Sequence, residues 1–522
     1  MTSAQGRMRP THPRAHRVDD IAAAFGLRLV TGADRATPVT GLAVGSDDVV
    51  PGDLFVALRG LKRHGAEFTA EALEAGAVAV LTDDAGAQLL GDVGVPVLVA
   101  EDPRRLVGDI AAWAYGHPAR ELVTVGVTGT NGKTTTAYFV DAAQRARFTT
   151  TAVLGTVELR VGAEAIESPR TTVEAPVLHA VLALARERGA GAATVEASSH
   201  ALALHRTGGV EFDVVGFTNL QRDHLDFHGD MDTYLADKAR LFARGQARRG
   251  VVVVDDAWGR AMVEAAEIPV ETVATRVGSP AAAHADWAVL DADIGLDGVG
   301  SSFTLRTTDG AEVAAASPLP GLVNVSNAAL AIVLAHRSGV PLADAITAIG
   351  AAHEIPGRME RVIERGEGWP LCLVDYAHTP DALELALEAV RPITPGRLVI
   401  VFGSDGDRDR GKRPIMGQVA ARLADVLVVT DENPRSEDPS SIRAAILEGV
   451  RRERPDLADV EEVSPRADAI RRGLELATDS DTVIVTGKGH EPTQEIAGVF
   501  HRYNDRDVYL AALAERTARA GA

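Results

Sequence analysis

The sequence predicts an α/β protein of three domains whose sheets are mainly parallel. Three observations carry that prediction. The chain has 522 residues, which at about 150 residues per domain divides into about three. Short apolar, β-branched runs alternate with helical stretches along most of its length. Polar residues and glycines cluster just after these runs, where ligands of open parallel sheets bind.

The first 17 residues are polar, contain Arg and His, and have no apolar stretch. They read as a disordered tail and not as a secretory signal. Residues 18–117 form the expected N-terminal domain, with strands at 76–82 and 95–100 and a helix at 104–115. Residues 118–354 form the central domain, with strands at 122–127, 192–196, 213–217 and 250–255. Residues 355–522 repeat the α/β alternation, with strands at 371–375, 397–402, 425–430 and 481–486. That pattern predicts a Rossmann-like C-terminal domain.

The strand at 122–127 opens into Thr128-Gly-Thr-Asn-Gly-Lys-Thr-Thr-Thr136 and then a helical stretch. A strand, a glycine-rich turn and a helix N-terminus form a cradle whose backbone N–H groups meet phosphate charge. Gly129, Thr130, Asn131, Gly132, Lys133, Thr134 and Thr135 are the candidate ATP-binding residues. Lys133 would reach the β/γ-phosphates and Thr134 would hold Mg²⁺. The general pattern places Gly six residues before the Lys; here that residue is Val127. The central domain is thus expected to be a phosphate-loop ATPase domain.

Composition narrows the classes. A net charge of −20 argues against a general nucleic-acid binder. No run of 18 apolar residues occurs, so no membrane span is expected. The single cysteine, Cys372, lies in an apolar run and reads as a buried thiol. A cytoplasmic location and a monomer are the expectations. Lys occurs only five times (62, 133, 238, 412, 488) and Asn six. Each survivor of that bias is a place to look for chemistry.

Thr128 to Thr135 resembles the ATP loop of the Mur ligases, whose own pattern lacks the first glycine. These enzymes build the peptide of bacterial cell-wall precursors. The resemblance runs from about residue 38 to residue 508. Glu196-Ala-Ser-Ser-His200 and Phe217 to Gly229 follow strands, and carboxylates and His there suit Mg²⁺. Chemistry alone does not single out His224 over Asp223. The resemblance implies Glu196 and His224, with Thr134, as metal positions. From spacing, Lys238 in the helix around Tyr234 and Phe242 reads as a solvated charge. The resemblance instead implies a carbamylated Lys238, an anion able to bind a second Mg²⁺. On the same basis Lys133, Lys238 and His224 are the expected catalytic residues.

Further positions follow from the resemblance. Asn327 would lie near adenine, Arg358 would meet phosphate and Asp375 the ribose. A UDP-muramyl dipeptide would meet Ser46, Thr171, Thr172, Ser198 and Arg206. Hydroxyls and Arg suit its oxygens. The triplet Gly45-Ser46-Asp47 departs from the family's Asp-Ser-Arg, which leaves uracil recognition open.

The segments around residues 402–416, 431–435 and 487–491 resemble the branch that adds the third residue to the muramyl dipeptide. There, Asp-Asn-Pro-Arg goes with meso-diaminopimelate. Arg435 and Arg413 can pair with its distal carboxylate and Glu491 with its ammonium. Glu432, Asn433, Pro434 and Gly487 complete the expected pocket. Glu432 stands where the family has Asp, and Ser404-Asp405 where Cys-Gly is common. Two alternatives stay open at this point: a paralogue adding lysine, ornithine or another amine, and a nucleotide-binding regulatory protein on a dead ligase scaffold.

Overall fold

The β-branched runs become strands. A computed structural model describes residues 8–520, apart from 31–33, 61, 297–298 and 353–354. Each apolar run named above contains a strand, from Ala79–Thr82 to Thr482–Thr486. The chain divides into two units, residues 1–275, 279–288 and 329–349, and residues 276–278, 289–328 and 350–522.

The first unit holds two large sheets. In the N-terminal one, Gly41–Ala43, Asp53–Val56, Ala79–Thr82 and Val97–Val99 run parallel, and Arg28–Leu29 closes the edge antiparallel. Strand alternation sorts its side chains. Leu54, Val56, Leu81 and Leu98 pack with Ile110 of helix Pro103–Ala114. Phe55, Val80, Val97 and Val99 fill the core on the other face. Ala175, Ala180 and Ala183 of helix Ala175–Glu187 join the first cluster.

The central sheet places Val123–Thr128 between Ala192–Glu196 and Val214–Phe217, all parallel. Thr151–Leu154 lies beyond Ala192–Glu196, and Gly250–Val253 and Val270–Ala274 lie beyond Val214–Phe217. The hairpin Glu158–Val161/Glu164–Glu167, absent from the sequence reading, adds an antiparallel edge. The carboxyl ends of the three middle strands carry the phosphate loop, Glu196 and the segment from Thr218 onward.

In the second unit, Leu371–Asp375, Thr482–Thr486, Leu398–Phe402, Val426–Val429 and Val460–Glu462 form a parallel sheet in that order. Glu360–Ile363 pairs antiparallel on its edge. The hairpin Gly300–Arg306 with Glu312–Ser317 was not anticipated. Arg466 and Asp505 form an ion pair with both side chains fully buried. Arg466 also donates to the carbonyls of Asp431 and Thr486, at two strand ends. Cys372 is buried, as expected.

The tail reading needs correction. Residues 1–7 lie outside the described ones, but Met8 is fully buried. Arg9 donates to Asp53 at 2.7 Å, and His16–Arg17 pairs with Pro38–Val39. The Arg-rich composition suggested solvation, whereas one of its guanidiniums neutralises a buried carboxylate.

Burial holds His179 neutral and pushes its pKa down to about 4, with its ring nitrogen 2.8 Å from the Gly208 carbonyl. An unfolded histidine takes up its proton near 6.5, so the unfolded state binds more protons between the two values. Stability of the first unit should therefore fall by about 3 kcal/mol as pH drops through that window. His179→Gln should flatten this slope in urea unfolding measured across the same pH range. An unchanged slope would refute the assignment.

Candidate active site

The loop is built on an immovable glycine. Gly129 has φ +145°, and a Cβ there would lie 1.8 Å from Thr218 Oγ1. Neighbouring residues clamp it. Thr130 N–H donates to the Asn219 carbonyl and Asn131 N–H to Asn219 Oδ1, while Thr218 Oγ1 donates to the Asn131 carbonyl. Gly132, at φ +86°, turns the chain into helix Lys133–Arg145. Thr136 N–H is bonded back to the Gly132 carbonyl. The first-turn N–H groups ahead of it have no acceptor within the helix and make an anion seat, with Thr135 in that turn.

Two ammonium groups converge on one carbonyl. Lys133 Nζ donates to the Gly129 and Thr130 carbonyls at 3.0 and 2.8 Å. Lys238 Nζ donates to the same Gly129 carbonyl at 2.8 Å and lies over the Tyr234 ring. Lys238 is 1% exposed, which overturns the solvated reading from spacing. Burial drives its pKa well down, and Lys133 adds to the effect against Asp223 and Asp237.

Glu196 is fully buried at the end of its strand. Its carboxylate accepts from Thr134 Oγ1, Thr156 N–H and Thr156 Oγ1, each at 2.9 Å. Thr134 and Glu196 thus present the hard oxygens that Mg²⁺ takes, and Mg²⁺ fills its other positions with phosphate and water. Among the described residues, no three His, Cys, Asp or Glu side chains form an all-protein cage. The donor set therefore fits an ion held partly by its nucleotide. His224 sits at φ +54°, its ring half exposed and 3.3 Å from Asp223. Partial burial, Lys133 and Lys238 lower its pKa, while Asp223 raises it. It packs edge-on against His200. His228 is buried between Asp237 and Ser199 at 2.8 and 2.9 Å.

The precursor positions other than Ser46 lie beside Glu196. Thr172 Oγ1 donates to the Glu196 carbonyl at 2.7 Å and accepts from Ser198 N–H. Thr171 Oγ1 is 3.1 Å from Thr156 Oγ1. Arg206 donates to the Thr172 carbonyl and pairs with Glu174. Burial lowers its pKa, partly offset by Glu174. Ser46 stands in the N-terminal loops, its hydroxyl donating to Glu71.

The remaining positions belong to the second unit. Asn327 donates to Asn324, itself bonded to the Pro320 carbonyl. Asp375 accepts the N–H groups of Met359 and Ala377, each at 2.8 Å. Burial raises its pKa against those bonds. Arg358 stacks on Tyr376. In the amino-acid segments, Lys488 is fully buried and donates to Asn433, Glu491 and the Thr493 carbonyl. Asn433 also donates to Glu491. Pro434 leads into Arg435, which takes φ +55° and keeps its guanidinium partly exposed, 3.6 Å from Asp405 and 3.8 Å from Glu495. Arg413 is placed differently. It is 3% exposed and bonded twice to Glu437, whose carboxyl it pulls down to about 2. Arg413 therefore braces the loop through Glu437, whereas the Arg435 guanidinium is held less closely. Thr156 and the Arg466–Asp505 pair escaped the sequence reading; neither lies in a recognisable motif.

Three family models match successive stretches: the Mur ligase family catalytic domain at residues 38–115, the Mur ligase middle domain at 127–335, and the Mur ligase glutamate ligase domain at 357–489. The chain is 44% identical over 510 residues to a UDP-N-acetylmuramoyl-L-alanyl-D-glutamate–2,6-diaminopimelate ligase of Streptomyces avermitilis, covering 97% of this chain and 98% of that one. It is 46% identical over 520 residues to a UDP-N-acetylmuramyl-tripeptide synthetase of Leifsonia xyli, covering 98% of each. A solved UDP-N-acetylmuramoyl-L-alanyl-D-glutamate–2,6-diaminopimelate ligase superposes with a TM-score of 0.65 at 31% identity, covering 97% of this chain and 100% of that one.

Gly129→Ala should weaken ADP binding about tenfold or more, because the added Cβ meets Thr218 and the left-handed backbone is strained. Calorimetric titration with ADP checks this, and an unchanged affinity would contradict it.

Proposed function

The chain belongs to the Mur ligase family, and we propose that it joins meso-diaminopimelate to UDP-N-acetylmuramoyl-L-alanyl-D-glutamate in peptidoglycan precursor synthesis. It is an ATP-dependent ligase of three α/β domains. One observation supports the choice of amino acid above the others. Arg435 keeps its guanidinium partly exposed at long range from its acidic neighbours, beside the Asn433–Lys488–Glu491 network. A distal carboxylate can take its planar fork, and Glu491 can take the neighbouring ammonium. Lysine and ornithine offer no such carboxylate.

The reaction needs no protein nucleophile. The D-glutamyl γ-carboxylate takes the γ-phosphoryl group of ATP, releasing ADP and giving an acyl phosphate. The amino acid's amine attacks the acyl carbon, a C–N bond forms, the bond to phosphate oxygen breaks, and phosphate leaves. Lys133 exchanges its loop carbonyls for phosphate oxygens, and the first-turn N–H groups hold the transferring charge in place. Thr172, Ser198 and Arg206 fix the precursor, which supplies much of the rate by proximity. When bound at Thr134 and Glu196, Mg²⁺ supplies charge neutralisation for the phosphates.

Lys238 is assigned a carbamate in the working enzyme. Its buried amine faces a neutral carbonyl next to a second lysine. Addition of carbon dioxide to neutral Nζ forms a C–N bond and releases a proton, which replaces a cation by an anion there.

Phosphate release should require both the muramyl dipeptide and meso-diaminopimelate, with lysine and ornithine ineffective. Efficient lysine addition without diaminopimelate addition would reject the choice of amine. Release with neither partner would reject the ligase reaction. Lys238→Ala should abolish turnover, and short carboxylic acids should restore part of it. Full activity of wild-type enzyme in carbon-dioxide-free buffer, with unmodified Lys238 by mass spectrometry, would reject the carbamate.

A further inference from the structure

The N-terminal segment is fastened to the loop that carries Ser46. Residues 44–50, Val-Gly-Ser-Asp-Asp-Val-Val, join strand Gly41–Ala43 to strand Asp53–Val56. That loop holds two carboxylates and no cation of its own. Arg9 brings one from more than thirty positions away. Its Nη1 donates to Asp53 Oδ1 at 2.7 Å. Its Nη2 donates to the Asp48 carbonyl at 3.1 Å and the Leu42 carbonyl at 3.4 Å. The other oxygen of Asp53 accepts the Val50 N–H at 3.0 Å. Leu42 precedes Ser46, and Asp48 and Val50 follow it, so one ion pair ties the loop on both sides of that hydroxyl. The Asp53 side chain is fully buried and that of Arg9 is 14% exposed. Gly41 leaves room for them, since a Cβ there would lie 2.8 Å from Arg9 Nη1.

The same segment reaches the central domain. Thr11 N–H donates to Glu187 Oε2 at 2.9 Å, at the end of helix Ala175–Glu187. That helix begins three residues after Thr172, another precursor position. The His16 ring lies against Trp113, with a ring nitrogen 3.0 Å from the Ala114 carbonyl. A buried ion pair adds little stability over apolar packing of similar volume. Its charge-assisted bonds are directional, however, and here they are directed at the backbone of one loop. Ser46 itself is exposed and donates to Glu71 at 3.2 Å, a bond that a ligand oxygen can replace.

We infer that Arg9 is a positioning residue for the precursor: it holds loop 44–50 in the shape that receives the UDP-muramyl dipeptide, given the reading that Ser46 meets that substrate. The N-terminal segment is thus part of how the enzyme selects its acceptor, although no atom of Arg9 needs to touch it.

KM for each substrate, measured in the full chain with the amine that supports turnover, tests this. Arg9→Met should raise KM for the muramyl dipeptide about tenfold, with kcat and the KM values for ATP and the amine within about twofold. Arg9→Lys keeps a charge for Asp53 and should recover part of the loss. Arg9→Met also leaves a buried carboxylate unpaired, so the melting temperature should fall. Adding Asp53→Asn removes that charge. The melting temperature should then recover while KM for the dipeptide stays raised, because the Asp48 carbonyl still lacks its donor. Recovery of both together would show that Arg9 acts on stability alone and would overturn the inference. An unchanged KM for the dipeptide in Arg9→Met, or an equal rise for all three substrates, would do the same. Calorimetric titration with the dipeptide gives the same comparison without turnover. Ser46→Ala tests the reading beneath: an unchanged KM for the dipeptide would remove Ser46 as a contact, while the Arg9 variants still decide whether the segment governs precursor binding.

Discussion

The carboxylate of Glu196 is the fixed point of the first unit. It lies at the end of a strand flanked on both sides by parallel neighbours, so its backbone has no freedom to drift. Three hydroxyl or amide groups donate to it, and a fourth to the backbone carbonyl of the same residue. Thr134 brings the phosphate loop, Thr156 brings the turn before the edge hairpin, and Thr172 reaches the residue's own carbonyl. The phosphate loop and the turn before the hairpin are therefore tied to one buried side chain, and Thr172 to the main chain of the same residue. A charge-assisted network of this kind is worth keeping only if fully satisfied, and here it is.

Cation placement follows the same logic. Two lysines share the Gly129 carbonyl next to an anion seat. The second unit shows the converse: its acidic side chains are grouped, and its arginines are mostly held by partners such as Glu437 and Asp505.

What the sequence made legible was local. Runs such as Leu398–Phe402 are continuous, β-branched and apolar, and burial on both faces demands that composition. The loop Gly129–Thr135 was legible because phosphate binding imposes its spacing. The hairpin Gly300–Arg306/Glu312–Ser317 escaped although Ser302 to Arg306 alternates polar and apolar residues, because alanine fills half of its second strand. Lys238 escaped for another reason. Its helix is short and polar, and its burial comes from Gly129, more than a hundred positions away in sequence. Arg9 reaching Asp53 is the same kind of fact. Arg413 shows the limit of motif logic: the residue type was right for a carboxylate, but the carboxylate is the protein's own Glu437.

The burial of the lysines has a chemical consequence beyond the site. Acyl phosphates acylate free amines without any catalyst. Lys238 and Lys488 are sealed in the interior, and Lys133 and Lys412 are half-buried and hydrogen-bonded to carbonyls. Among the described residues Lys62 is the one lysine that stands exposed, while the surface cations are otherwise guanidiniums, which do not acylate at neutral pH. A protein that generates an activated acyl group thus offers it almost no side chain on which to go astray.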